Sequence, residues 1–209
     1  VSDGGLDLAR FRGALAPHGV KIGARRIGLG DETAFIDPGR APTQANLARR
    51  RASGAARIVA RRLLGELGSD ASAVLPRKPS GAPDWPEGVL GSLAHDDLFA
   101  AAAVARAGSP RALGLDIEPA EPLPAEVLAL ALSDAERRSV EGVPVMARLI
   151  FSAKEAVYKA IHPWDGSPLE YEDIEVNLAR GEAALRDGRF VQVVVEFGSR
   201  LLVAAVVTK

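Results

Sequence analysis

The spacing of hydrophobic positions changes period several times along the chain, and each change marks an element. Between Leu113 and Pro119 the alternation is clean. Leu113, Leu115 and Ile117 point one way and Gly114, Asp116 and Glu118 the other, as in a strand that Pro119 stops. After Gly142-Val143-Pro144 the period becomes helical, to about Ile161. Leu149, Ile150, Ala153, Val157 and Ile161 form an apolar stripe, with Ser152, Glu155 and Lys159 on the other side. His162 to Gly166 then reads as a loop. A second long helix is predicted from about Gln44 to Leu67, with Leu47, Ile58, Val59, Leu63, Leu64 and Leu67 as its apolar members and Gly68 as its C-cap. Ser133-Asp134-Ala135-Glu136 is a capping box that starts a shorter helix. Strands are expected at 174–178, 189–197 and 201–207, with Gly198-Ser199-Arg200 as a hairpin turn.

The remaining stretches are less regular. Leu6 to Leu15 is a short amphipathic segment followed by Gly-rich turns, and Thr33 to Ile36 is a candidate strand closed by Asp37-Pro38-Gly39. Residues 75–91 are crowded with Pro and Gly and read as an ordered, wrapping loop, because proline supplies no backbone donor to a helix or sheet interior. Leu98 to Val104 is a short apolar run, a buried strand or helix. Gly108-Ser109-Pro110-Arg111 is a natural boundary. It divides the chain into halves at 1–111 and 112–209, and the fold class expected is α+β, with two similar halves permitted by the pattern.

Composition narrows the classes. A net charge of -1 gives no whole-molecule field of the kind that draws a protein to nucleic acid or to a membrane surface. With no cysteine there is neither a disulfide nor a thiolate metal site. No apolar run approaches the roughly 18 residues that suggest a spanning helix, and the first residues lack a basic start followed by an apolar core. The expectation is a cytoplasmic protein.

The candidate chemistry lies in the acidic and basic side chains. Asp116 and Glu118 share one face of a strand end, where two carboxylates repel unless solvated or neutralised by a cation. Glu155 joins them if the helix crosses that strand end. Oxygen-only donors suit Mg²⁺, with Mn²⁺ as the alternative ion. Lys154 and Lys159 flank Glu155 and suit a polyanionic substrate. Arg49, Arg50, Arg51, Arg57, Arg61 and Arg62 crowd one helix, and Arg presents a planar fork matched to phosphate. Lys78 lies in the Pro/Gly loop, and Ser92 and His95 form a Ser-x-x-His cluster just after it. No GxxxxGK[ST] loop is present, which excludes a P-loop site. The residues by themselves reach a Mg²⁺ site acting on a phosphorylated substrate.

Gly114-Leu115-Asp116-Ile117-Glu118 together with Phe151-Ser152-Ala153-Lys154-Glu155-Ala156-Val157-Tyr158-Lys159 resembles the two signature motifs of the 4′-phosphopantetheinyl transferases. Pro83-Asp84-Trp85-Pro86-Glu87-Gly88 through Gly91-Ser92-Leu93-Ala94-His95, and the helix Ala56 to Leu64, are similar to elements of the enterobactin-synthase-component (Sfp-type) branch. The resemblance implies transfer of 4′-phosphopantetheine from coenzyme A to a serine of an apo acyl or peptidyl carrier protein, with release of adenosine 3′,5′-bisphosphate. It implies two pseudo-symmetric halves with coenzyme A in the cleft between them, in a monomer. It assigns Asp116, Glu118 and Glu155 to Mg²⁺, with Glu155 also the candidate base. Lys154 and Lys159 go to the pyrophosphate, and Arg49, Arg57, Lys78, Ser92 and His95 to coenzyme A and its phosphates. Carrier docking is expected near the helix from Ser133 and the loop before Arg148. The motifs leave open siderophore, polyketide, nonribosomal peptide and fatty-acid pathways. Ala94 departs from the usual Ser or Thr before the His, and Phe151 from the usual Trp. Two rivals remain at this point: a Mg²⁺-dependent nuclease with the arginine helix on DNA, and a carrier-protein or nucleotide-binding module without chemistry.

Overall fold

The computed structural model describes residues 3–34, 43, 46–108 and 110–208. The chain divides into two compact units, Val1–Pro110 and Arg111–Lys209. Each sets one long helix against an antiparallel sheet, which is the α+β arrangement in both cases. Among the described residues no helix is long and apolar enough to cross a membrane.

In the first unit, a short helix α1 (Ala9–Leu15) leads into strand β1 (Lys21–Arg26). Helix α2 (Leu47–Glu66) follows, then β2 (Val89–His95) and β3 (Phe99–Arg106), in the sheet order β1-β3-β2. The apolar run read as strand or helix is the central strand β3. Its alanines are buried on both faces, and α2 packs against it. Val59, Ala60, Leu63 and Leu64 of α2 pack against Val89, Ala102 and Val104. The helix begins at Leu47 and Gly68 adopts the left-handed conformation just past its end (φ 69°). Gln44 lies outside the described residues. Thr33 and Ala34, expected in a strand, belong instead to a 3₁₀ turn (Asp31–Ala34), whose Asp31 accepts from the Gly28 N–H at 2.7 Å. Phe35, Ile36 and the turn Asp37-Pro38-Gly39 lie outside the described residues. The Pro/Gly stretch expected as a loop over 75–91 is one only up to Gly88, because Val89–Gly91 pair with β3 as the start of β2. Trp85 lies so close over Gly91 of β2 that a Cβ there would sit 2.5 Å from the indole, so the bare glycine is what admits the ring.

The second unit opens with β4 (Ala112–Pro119) and the helices α3 (Ala125–Ala131), α4 (Asp134–Ser139) and α5 (Pro144–Asp165). Strands β5 (Ile174–Asn177), β6 (Glu182–Leu185), β7 (Phe190–Phe197) and β8 (Arg200–Val207) complete it, in the sheet order β4-β8-β7-β6-β5. α5 lies against β4 and β8, and its Ala153, Ala156, Val157, Ala160 and Ile161 are at the centre of the core. The helix does not stop at Ile161. It runs through His162-Pro163-Trp164-Asp165 and ends where Gly166 turns left-handed (φ 74°) and returns its N–H to the His162 carbonyl. Pro163 lies within this last turn, where it keeps a helical φ and forgoes one backbone bond without ending the helix. Arg189 clamps this end. It pairs with Asp165 and Asp187, and its guanidinium lies 5.8 Å from the centre of the half-exposed Trp164 ring.

Two features fix α5 in place. The first is Gly114. A Cβ there would stand 1.9 Å from the Ala156 carbonyl oxygen and 2.7 Å from the Ala160 nitrogen, so the helix backbone rests directly on the strand. The second is a buried ion pair. Lys154 (1% exposed) and Glu136 (3%) meet at 2.7 Å. Glu136 is the capping-box glutamate, and it also accepts from the backbone N–H groups of Ser133 (2.9 Å) and Val176 (3.0 Å). Lys154 also donates to the Tyr171 carbonyl at 3.0 Å. One buried charge pair thus joins α4, α5, β5 and the segment before β5, with its remaining hydrogen-bonding capacity largely used. Such a pair is costly to break from one side.

Gly114→Ala is expected to destabilise the protein by about 3 kcal/mol, since the added methyl meets helix backbone rather than a movable side chain; urea denaturation measures this. Lys154→Met is expected to cost about 3–5 kcal/mol by stranding the Glu136 charge. The double variant Lys154→Met/Glu136→Gln is expected to recover part of that loss in the same measurement.

Candidate active site

Asp116 sits two residues beyond Gly114 on the same face of β4, so the contact that seats α5 also brings Asp116 against it. Asp116 is buried (5% exposed). One of its oxygens accepts from the Ser152 hydroxyl at 2.8 Å and the other from the Lys159 ammonium at 2.6 Å. Ser152, Ala156 and Lys159 lie one turn apart on a single stripe of α5. The side of the helix that carries Ser152 and Lys159 therefore faces the strand. Lys159 spends its short contact on Asp116, and no ion pair of hydrogen-bond length forms between Glu155 and Lys159 four residues apart.

Glu118, one pleat further along the strand, is held by Arg148 at 2.6 Å. Arg148 also donates to the Glu121 and Pro122 carbonyls at 2.8 Å each, so one guanidinium shapes the loop leaving β4. Glu155 accepts from the Tyr171 hydroxyl at 2.6 Å. Arg148 and Tyr171 carry no local motif that would single them out in the sequence.

Electrostatics tie these groups together. Burial opposes the charge on Lys159, but the Asp116 carboxylate and its hydrogen bond, with the charges of Glu155 and Glu118, outweigh it and hold the ammonium above its ordinary pKa. Glu118 is pushed above the usual carboxylate range by burial and by the Asp116 charge, in spite of Arg148 and Lys159. Tyr171 is raised by burial and by its bond to Glu155, with Asp116 and Glu118 adding to the effect. It therefore remains a protonated donor at neutral pH. The three carboxylates act on one ammonium, and with Lys159 and Arg148 as their charged partners the group has one negative charge more than positive.

That excess and the all-oxygen donor set fit a hard divalent cation. Asp116, Glu118 and Glu155 were expected to converge on one ion. Among the described residues no three acidic or histidine groups stand close enough to enclose one. Each carboxylate is turned to its own partner instead, Asp116 to Lys159 and Ser152, Glu118 to Arg148 and Glu155 to Tyr171.

The basic residues separate more widely. Lys154, expected beside the acidic group, is turned into the core toward Glu136, because adjacent helical positions point about 100° apart. Arg57 is also buried (4% exposed). It donates to the Leu75 carbonyl at 2.7 Å and to Ser53 at 3.1 Å, stapling the Pro/Gly loop to α2. Arg49 is exposed near the start of α2, and Lys78 is 3.3 Å from Asp84 in the loop. Ser92 and His95 do not form a cluster. On β2 they are three apart and so project to opposite faces, with Ser92 buried and His95 exposed at the strand end.

Residues 31–105 match the model of the 4′-phosphopantetheinyl transferase N-terminal domain. Residues 112–204, which contain β4 and α5, match that of the 4′-phosphopantetheinyl transferase superfamily. The chain is similar to 4′-phosphopantetheinyl transferase Svp of Streptomyces mobaraensis, 43% identical over 126 residues, which is 57% of this chain and 51% of that protein. It is also similar to 4′-phosphopantetheinyl transferase Npt of Nocardia iowensis, 39% identical over 147 residues, covering 68% of this chain and 66% of Npt. PptT of Mycobacterium tuberculosis, likewise a 4′-phosphopantetheinyl transferase, is 35% identical over 149 residues, covering 69% of this chain and 65% of PptT. The matches span from about half to just under two thirds of these relatives' own length. Two adjoining family models, one on each unit, and the relatives that agree with them show that the chain belongs to the 4′-phosphopantetheinyl transferase superfamily.

Proposed function

We propose that the protein transfers 4′-phosphopantetheine from coenzyme A to a serine of an apo acyl or peptidyl carrier protein. The observation that carries this reading is the site at the β4–α5 contact, where Asp116 pairs with the Lys159 ammonium and the charges of Glu155 and Glu118 also act on it, within the stretch that matches the superfamily. A nuclease reading has no comparable support. The reading includes the Sfp-type branch, a cytoplasmic location, a monomer, and two pseudo-symmetric halves with a cleft for coenzyme A.

In this reading the carrier serine oxygen attacks the phosphorus of the phosphopantetheine group. The bond from that phosphorus to the bridging oxygen breaks, and adenosine 3′,5′-bisphosphate leaves with the bond electrons. The serine proton passes to Glu155, the carboxylate that is not ion-paired at short range. Lys159 offers its ammonium to the diphosphate, exchanging part of its contact with Asp116 for the substrate's charge. Asp116, Glu118 and Glu155 would hold Mg²⁺, or Mn²⁺ in its place. When bound, the ion supplies Lewis-acid stabilisation of the charge on the diphosphate oxygens. Arg49, Lys78 and His95 take the adenosine phosphates in this reading. The commitments of Arg57 and Lys154 to the interior give these two a supporting share in this scheme, by shaping the loop and the helix.

Incubation of an apo carrier protein with the protein, coenzyme A and Mg²⁺ is expected to add one phosphopantetheine to serine, read by mass spectrometry. Glu155→Gln and Asp116→Asn are each expected to lower kcat by at least about a hundredfold with an unchanged circular dichroism spectrum. Full activity in either variant would remove that residue from the site, and no mass gain with any carrier class would remove the transferase reading.

A further inference from the structure

Tyr171 reaches Glu155 from a separate element, and the structure holds it there on several sides. It begins a 3₁₀ turn (Tyr171–Asp173) closed by a capping box, in which Glu170 N–H donates to the Asp173 carboxylate at 3.0 Å. Arg186 ties the same turn to the end of β6. Its backbone N–H donates to the Asp173 carbonyl at 2.9 Å, and its guanidinium meets the Asp173 carboxylate at 2.8 Å. The Tyr171 ring rests against Phe151 of α5, with centroids 5.9 Å apart. The Tyr171 carbonyl accepts from Lys154, the residue immediately before Glu155. Two consecutive residues of α5 therefore grip one tyrosine, Lys154 by the backbone and Glu155 by the phenol.

Asp116 is held by the Lys159 ammonium as well as by Ser152, and Glu118 by Arg148, whereas the short contact of Glu155 is to a neutral phenol. A phenol fixes the direction of a carboxylate without neutralising it, and so leaves its charge for a cation or a proton. We propose that Tyr171 is a positioning residue that aims the Glu155 carboxylate, and that the buried Lys154–Glu136 pair sets where its phenol stands. This rests on the transferase reading for the role of Glu155, and it gives the motif lysine Lys154 work in the interior of the fold. Groups that orient a ligating or proton-accepting side chain commonly matter to activity although they touch no substrate.

Tyr171→Phe removes the hydroxyl and keeps the ring against Phe151, so the melting temperature should change little. With apo carrier and coenzyme A, kcat is expected to fall about 10- to 100-fold while KM for coenzyme A stays at the wild-type value. Mn²⁺ serves as the probe for the metal arm, with binding read by the loss of the free-ion electron paramagnetic resonance signal in the presence of coenzyme A. The variant is expected to bind Mn²⁺ roughly tenfold more weakly. Adding Tyr171→Phe to Glu155→Gln should weaken Mn²⁺ little further, because the two residues act as a unit. A variant that keeps wild-type kcat and Mn²⁺ affinity overturns the proposal, and so does a loss that appears only in KM for coenzyme A. Additive losses in the double variant would overturn it as well. If the wild-type chain modifies no carrier, the transferase reading fails, and the Mn²⁺ cycle still decides whether Tyr171 acts through Glu155.

Discussion

The second unit depends on how closely α5 can approach β4. A helix normally stands off a sheet by the thickness of its side chains. Here the absence of a side chain at Gly114 lets the backbone at Ala156 and Ala160 sit on the strand. The acidic residue two positions on then falls within hydrogen-bonding reach of Ser152 and Lys159. Gly-x-Asp-x-Glu is therefore one physical device, in which the glycine permits the approach that brings the two carboxylates against the helix. The small residues along this stripe of the helix serve the same end, since larger ones would lift it away from Asp116.

The charge at this contact is arranged in two layers. The inner layer, Lys154 with Glu136, is fully buried and nearly saturated with hydrogen bonds, and it holds secondary-structure elements in register. The outer layer, Asp116, Glu118, Glu155 and Lys159 with Arg148, is partly open and carries three carboxylates against two cations. A saturated inner pair resists change. An outer group with excess carboxylate is open to a cation, and rigid support beneath it keeps its side chains in place.

Much of this was legible in the sequence where the signal is local. Alternation gave β4, the Ser133–Glu136 box gave the start of α4, and a glycine marked the end of α2. Weak or long-range signals were read less well. β1 was passed over because its buried residues Ile22, Gly23 and Ala24 are mostly small and its neighbours are basic. β6 is only four residues long, and α3 carries no cap that its sequence announces. Helical periodicity assigned Ser152 and Lys159 to a polar side but could not tell water from a buried aspartate. The partner of Lys154 is equally invisible to spacing, since Glu136 lies on another helix and its capping-box role gives no hint of a second duty. Ser92 and His95 were grouped by proximity in sequence, and the two-residue period of a strand separates them.

The two tryptophans fall one to each unit and in unlike settings. Trp85 is pressed onto the bare backbone of β2, and Trp164 stands half open to solvent beside a guanidinium. Their emission should differ in colour and in access to a soluble quencher such as iodide. Intrinsic fluorescence thus offers a separate optical reporter for the seating of the proline-rich loop and for the far end of the long helix, with no label added.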